Sequence, residues 1–198
     1  KKYADSLLKM VNRYQIYLNF KHNLVEVDGP NKKATFDVVQ EDGTTVQVVK
    51  SFDMIHVTPP QSAPDFIKNS PFANESGWLD LDKHTMQQVK YKNVWGLGDA
   101  SGTPNAKTGA AVRKQAPVVV ENLLANIDSK NLTASYNGYG SCPLVVGYGK
   151  LVLAEFDHSH TPQETFPFDQ AKPRWSMWFL KKYILPWLHW NKILKGTA

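Results

Sequence analysis

The sequence holds a single cysteine, Cys142. One thiol excludes an internal disulfide framework and a cysteine-built zinc site, though not a bond to another chain. No apolar run reaches the length needed to cross a bilayer as a helix. No Gly-x-Gly-x-x-Gly occurs, so the loop that cradles a dinucleotide pyrophosphate is absent. The chain starts at Lys1 without an initiator Met or a targeting segment, and is expected to be a piece of a longer polypeptide. Asn74-Glu75-Ser76 and Asn131-Leu132-Thr133 have the form of glycosylation sites, but without a signal peptide they read as chance matches.

What is present fits a globular protein. Over 198 residues, 42% hydrophobic and 21% charged content is too apolar for a disordered chain and enough for one domain or two small ones. A net charge of +5 and a pI near 9.1 permit an acidic membrane surface or nucleic acid as partner and establish neither. No nucleic-acid partner is expected.

Val94-Trp95-Gly96-Leu97 is a short apolar run of buried-strand type, and it ends in Gly98-Asp99. Glycine lets the backbone approach a ligand closely, and Asp99 places an acceptor just past the strand's carboxyl end. A polar loop leads to Lys107, after which Thr108-Gly109-Ala110-Ala111-Val112 opens a helix expected to run to Asn126. The first amides of a helix lack internal partners and carry partial positive charge, and Lys107 adds a full one. The pattern resembles the second fingerprint of flavoproteins with two dinucleotide-binding domains. That resemblance implies that Asp99 holds a ribityl hydroxyl of FAD. It also implies that Gly98, Lys107, Thr108, Gly109, Ala110, Ala111 and Val112 line the flavin's electron-rich edge. Read without it, the stretch is a strand, a turn and a helix.

The remaining elements follow from periodicity. Ala4, Leu7, Leu8 and Val11 give an amphipathic helix over 2–12. Residues 15–27 read as strand-like, followed by the turn Asp28-Gly29-Pro30-Asn31. Ala34–Val39 and Thr45–Val49, joined through Asp42-Gly43, form a hairpin. Asp53–Val57 reads as a buried strand with His56 in the core or on a sheet face. It runs into Pro59-Pro60, which must leave the sheet. Gly77–Met86 alternates like a half-exposed strand; its Asp80, Asp82 and His84 share a face, but a solvated edge is a simpler reading than a metal site. Pro117 is expected to kink the helix opened at Thr108, with Val118, Val119, Leu123 and Leu124 facing the core.

Cys142 lies in Tyr136-Asn137-Gly138-Tyr139-Gly140-Ser141-Cys142-Pro143, with Gly147 and Gly149 beyond and a strand over Leu151–Ala154. Its residues alone leave three readings open: an inert buried thiol, a hydrolase nucleophile with His158 or His160 as base, or a sulfur carrier. Between Lys172 and Lys195 stand six Lys or Arg, no acid, and Trp175, Trp178, Trp187 and Trp190. Trp175, Trp178, Phe179 and Tyr183 share one helix side, Pro186 is expected to break the helix, and Trp beside Lys has the composition of an interfacial anchor.

Four motifs in register carry a second resemblance. They are Lys107-Thr108-Gly109-Ala110-Ala111, Tyr136-x-Gly-x-x-Ser141-Cys142-Pro143-Leu144, Ala154-Glu155-Phe156-Asp157 and Glu164-Thr165-Phe166-Pro167-Phe168-Asp169. The chain resembles the C-terminal half of sulfide:quinone oxidoreductases of the mitochondrial type. Gly98-Asp99-Ala100-Ser101 departs from them toward bacterial relatives.

The resemblance implies an α/β chain, a partial tandem Rossmann-like FAD/NAD(P)-binding fold with a C-terminal amphipathic membrane-facing segment. Residues 1–60 end the second nucleotide-binding-like domain, 61–128 end the FAD-binding domain, and 129–198 carry the cysteine and the membrane-facing helices. It implies that Cys142 carries sulfane sulfur from hydrogen sulfide as a persulfide. Electrons pass through FAD to ubiquinone, and the sulfur goes to glutathione or sulfite. Phe166, Phe168, Trp175 and Phe179 would wall a quinone pocket. The protein would sit peripherally on the mitochondrial inner membrane. The first cysteine and the pyrophosphate loop would come from the N-terminal half of the same protein, so this chain alone would be inactive. Two alternatives remain: another flavin-dependent quinone reductase, such as a single-subunit NADH dehydrogenase, and a non-enzymatic membrane-peripheral module.

Overall fold

In the computed structural model, residues 2–104 and 107–197 are described. Helix α1 is Lys2–Arg13, followed by strands β1 (His22–Asp28), β2 (Lys33–Val39) and β3 (Thr45–Ser51). A short helix α2 (Asp65–Lys68), a 3₁₀ turn at Gly98–Ala100 and the long helix α3 (Gly109–Ile127) come next. Strands β4 (Gly140–Gly147) and β5 (Lys150–Phe156) precede α4 (Trp175–Phe179), a π-helical stretch Leu180–Ile184, α5 (Leu185–Asn191) and a final 3₁₀ turn. The fold is mixed α/β with two small antiparallel sheets, β1-β2-β3 and β4-β5. The chain divides into two compact units, Lys9–Gln61 and Lys1–Leu8 with Ser62–Ala198.

The smaller unit is built on the meander. Asp42 Oδ1 accepts from the amide (2.9 Å) and hydroxyl (2.6 Å) of Thr44, and Gly43 takes φ +84°, which closes the expected β2–β3 hairpin. Asp28 closes the preceding turn by accepting from the Asn31 amide at 3.1 Å. Strand β1 is shorter than its pattern suggests. Gln15 and Lys21 take left-handed φ values of 54° and 58°, which interrupt an extended chain. Asp53–Val57 is not a strand: Met54 is 90% exposed, His56 lies at the surface rather than in a core, and the prolines that follow donate nothing to a ladder.

The larger unit has its core in Leu79, Leu81, Met86, Ala111, Val118, Val119 and Tyr136. Gly77–Met86 and Val94–Leu97 contribute to it without being strands. Among the described residues they pair through single bridges, Leu79 with Ala73, Leu81 with Gln88, Gln87 with Trp95 and, in parallel, Leu79 with Ser101. Alternation survives, with Leu79 and Leu81 buried, but no ladder propagates. Asp82 caps the turn that follows, its Oδ1 accepting from the amides of His84 (3.0 Å) and Thr85 (2.7 Å). Fully buried Asn122 knits α3 to two loops, donating to Thr85 O and Ala134 O and accepting from the Ala134 amide. Leu124, expected in the core, is 57% exposed.

Two other expectations change. In α1 the buried residue is Tyr3, while Leu7 and Leu8 stay exposed. The helix start is held by polar links: Lys2 Nζ to Glu164 at 2.8 Å, and the Ser6 hydroxyl to Ala171 O at 2.5 Å. Pro186 does not break the C-terminal helix. Helical backbone continues through the π-helical stretch into α5, where Pro186 sits in the first turn and needs no intrahelical donor.

Candidate functional site

Leu97 arrives extended, and Gly98 turns the chain at φ +69° into the 3₁₀ turn that presents Asp99. A side chain at Gly98 would be strained by that φ, and its Cβ would meet Val112 Cγ2 at 3.3 Å. The turn is bolted to α3. The Gly98 amide donates to Gln115 Oε1 at 2.9 Å in the interior, and the Ser101 hydroxyl donates to Gly98 O at 2.7 Å. Asp99 itself is exposed.

Helix α3 begins where the sequence places it. Thr108 is the N-cap, its side chain accepting from the Ala111 amide at 3.3 Å, and the Val112 amide bonds to Thr108 O at 3.0 Å. This leaves the amides of Gly109 and Ala110 as the donors free of an intrahelical partner. A Cβ added at Gly109 would meet nothing within 4 Å among the described residues. Lys107 does not project alone at the entrance. Its ammonium donates to Ser101 O and sits 3.9 Å over the Trp78 ring. Burial pushes it below the usual lysine range, against the charge of Asp99, which raises it. Asn105 and Ala106 of the intervening loop lie outside the described residues.

Cys142 lies in β4, where no strand was expected, directly opposite Ala154 of β5; its thiol is free and the residue half-buried. Strand β4 packs beside α3, so the sulfur-bearing strand and the helix behind the Gly98-Asp99 turn are neighbours. The histidines of the hydrolase reading are engaged elsewhere. His158 Nε2 lies 3.3 Å from Tyr136 O, and its ring meets His84 and Tyr136 edge-on at 5.3 and 5.2 Å. His160 is exposed in a turn.

The four aromatic residues expected around a quinone form two separate pairs. Phe166 and Phe168 stack at 5.3 Å beside Leu151, Leu153 and Met177, and the Arg174 guanidinium lies 4.3 Å over Phe168. One face of Phe168 is thus covered by its own chain, and both rings are half-buried. Trp175 and Phe179 pair at 5.3 Å on the C-terminal helix, where Trp175 is 58% exposed.

One side chain missed in the sequence is central here. Glu155, across the ladder from Ser141, is 2% exposed. Its carboxylate accepts from the Tyr139 hydroxyl, the Thr165 amide (2.8 Å), the Thr165 hydroxyl (2.9 Å) and Gln170 Nε2 (2.6 Å). Burial first, then this carboxylate, pushes the Tyr139 phenol up to about 12. The available signal was an acid placed inside the apolar run Leu151–Phe156. Gln115 gave none, because one glutamine on a helix is unremarkable until its partner is known.

No family model matches the chain. It is, however, 43% identical over 196 residues to the mitochondrial sulfide:quinone oxidoreductase of Mus musculus, which covers 99% of the chain and 43% of that protein. The Dictyostelium discoideum protein of the same name is 44% identical over 197 residues, 99% of this chain and 42% of that one. The chain is a relative of the mitochondrial sulfide:quinone oxidoreductases. It spans about two fifths of the length of these curated relatives, as a C-terminal portion would. The sulfide:quinone oxidoreductase of Schizosaccharomyces pombe gives the same picture, 43% identical over 198 residues and 42% of its length. Among solved structures, a chain of the Tetrahymena thermophila mitochondrial ATP synthase superposes with TM-score 0.77 at 26% identity, over 93% of this chain and 45% of its own. The resemblance to sulfide:quinone oxidoreductases seen in the four motifs therefore extends over essentially the whole chain.

Proposed function

We propose that this chain is the C-terminal part of an FAD-dependent sulfide:quinone oxidoreductase. In this reading residues 1–60 close the second nucleotide-binding-like domain of a tandem Rossmann-like fold, 61–128 close the FAD-binding domain, and 129–198 carry the sulfur and membrane functions. The single observation that carries it is the Cys142 strand packed beside α3, the helix that Gln115 ties to the Gly98-Asp99 turn. The residues fit a flavin. An exposed carboxylate on a turn tied to α3 suits a ribityl hydroxyl, and two helix-start amides without an intrahelical partner suit an electron-rich ring edge. Bound FAD would supply a two-electron relay between sulfide and quinone.

The chain's own residues then have defined tasks. Asp99 accepts a hydrogen bond from the cofactor, and Gly109 and Ala110 donate to it. Lys107 lends positive charge beside Trp78. Cys142 holds the sulfane sulfur as a persulfide. In the net reaction hydrogen sulfide gives two electrons and two protons to ubiquinone, and its sulfur passes from Cys142 to glutathione or sulfite. The first cysteine and the pyrophosphate loop come from the N-terminal part, so the chain alone is inactive. Phe166, Phe168, Trp175 and Phe179 offer ring surface to the quinone. The helices from Trp175 to Lys195 lie on the mitochondrial inner membrane as a peripheral anchor, with Trp187 and Trp190 exposed beside lysines. No helix among the described residues is long and apolar enough to cross a membrane.

The test is the absorbance spectrum of the full-length protein before and after sulfide. A flavin spectrum that bleaches, and fails to bleach after Cys142→Ser, is expected. A flavin indifferent to sulfide points instead to another quinone reductase of the NADH dehydrogenase kind. The structural neighbour in a mitochondrial ATP synthase favours a second reading, a non-enzymatic subunit that keeps the fold. Absence of any flavin in the full-length protein is its mark.

A further inference from the structure

The buried carboxylate of Glu155 has no role in the chemistry just described, yet it is the best-connected side chain in the larger unit. Its four donors come from two separate segments. Tyr139 lies three residues before Cys142, on the segment that becomes β4. Thr165 and Gln170 belong to the loop that carries Phe166 and Phe168. Gln170 completes the link, because its Oε1 accepts from the Phe166 amide at 2.9 Å while its Nε2 donates to Glu155. Strand β5, which bears Glu155, also pairs Ala154 with Cys142. A carboxylate in the interior without solvent is tolerated only when its lone pairs are filled by donors, and here all four bonds are. Such an anion holds its donors in one geometry, since losing any of them exposes charge to an apolar surround.

We infer that Glu155 is a positioning residue that fixes the loop bearing Phe166 and Phe168 against the strand bearing Cys142. The roles of sulfur site and quinone wall rest on the function proposed above; the clamp itself rests on geometry alone. Glu155 does not act on the thiol directly. Ser141 pairs with Glu155 and Cys142 with Ala154, so on alternating strand faces the carboxylate and the thiol point to opposite sides of the sheet. Its effect is therefore felt at the loop, in how the acceptor is held.

The experiment uses the full-length protein as wild type, Glu155→Gln, and the swap Glu155→Gln with Gln170→Glu. In the single variant one carboxylate oxygen becomes an NH₂ group and the charge is lost, so the donors share a single neutral acceptor oxygen; the swap returns a carboxylate to the pair. Hydrogen exchange is followed at the Thr165 and Phe166 amides. In Glu155→Gln they are expected to exchange at least about tenfold faster, the size of losing one charge-assisted bond, with the rest of the unit unchanged and partial recovery in the swap. Unchanged exchange, or acceleration spread evenly over the unit, overturns the clamp. Steady-state kinetics separate this from the functional reading. The KM for a soluble quinone is expected to rise about tenfold, while sulfide bleaches the flavin within about twofold of the wild-type rate. Parallel loss of both half-reactions overturns the positioning role. A wild type that ignores sulfide removes the function but leaves the exchange result to decide the clamp.

Discussion

Gln115 reaches across from α3 to accept the amide proton of Gly98 at 2.9 Å, in a spot closed to solvent. The bond joins the turn that presents Asp99 to the helix whose start faces the same space. Gln115→Leu leaves the Gly98 N–H buried without an acceptor, which costs about 1–3 kcal/mol. A lower denaturant midpoint and faster loss of flavin from the full-length protein are expected together. An unaltered midpoint means that the turn is held by something other than this bond.

Asn122 makes three hydrogen bonds at 0% exposure, to Thr85, to Ala134 and from Ala134. Asn122→Leu fills the volume but strands three backbone groups. A loss of about 2–5 kcal/mol is expected, measured by chemical unfolding. Asn122→Asp keeps the acceptor but turns a carboxylate oxygen toward the Thr85 and Ala134 carbonyls, and should lose at least as much at neutral pH.

His158 gives a pH dependence of stability. Burial first, and the charges of His84 and Lys83 after the opposing bond to Tyr136 O, hold its imidazole below the ordinary 6.5. Between the folded value and 6.5 the unfolded chain binds more protons, so stability rises with pH through that window. His158's contribution is complete above 6.5 and is lost as the pH falls through the folded value. Unfolding midpoints measured from about pH 5 to about pH 7.5 should show this slope, and His158→Gln should flatten it. Gly138 is fixed by the same contact, because a Cβ there would run into the His158 ring.

Tyr139 acts at the other end of the scale. Its phenol ionises at about 12 in the folded chain against 10.0 in the ordinary state, so the folded chain holds the extra proton between those values. Its contribution is full below 10.0 and drains away as the pH climbs toward about 12. Absorbance titration should find a phenol that ionises late or only on unfolding and that Tyr139→Phe removes, beside Tyr3, which burial also pushes up. Tyr139→Phe should lower stability near neutrality, through the lost bond to Glu155, and reduce the alkaline slope.

Trp187 and Trp190 are 54% and 67% exposed, and neither belongs to the clusters around Met86 and Leu151. Replacing both by Glu leaves the fold intact. Affinity of the full-length protein for anionic vesicles should drop by about tenfold or more, since two interfacial indoles are removed and two repelled charges added. Equal vesicle binding by the double variant would locate membrane association elsewhere.

What the sequence by itself determined lies where a residue acts on its own neighbours. Asp42 and Gly43 close a hairpin through bonds two residues away, and Thr108 caps α3 from one end. Gly98 is required by its own φ. The motif run also located the family, because identities in register need no fold to be seen. Tertiary structure alone decided which apolar patterns became strands. Val94–Leu97 has the composition of one, but a ladder needs a partner along its whole edge, and it finds one at Trp95 only. It decided that Tyr3, not Leu7 or Leu8, is the buried side of α1, because Glu164 and Ala171 supply polar anchors from more than 160 residues away. It also turned an ordinary acid at position 155 into a four-bonded buried anion. Burial and hydrogen bonding are properties of what surrounds a side chain, and the surroundings of Glu155 are assembled only when the segments of Tyr139 and of Thr165 and Gln170 meet on β5.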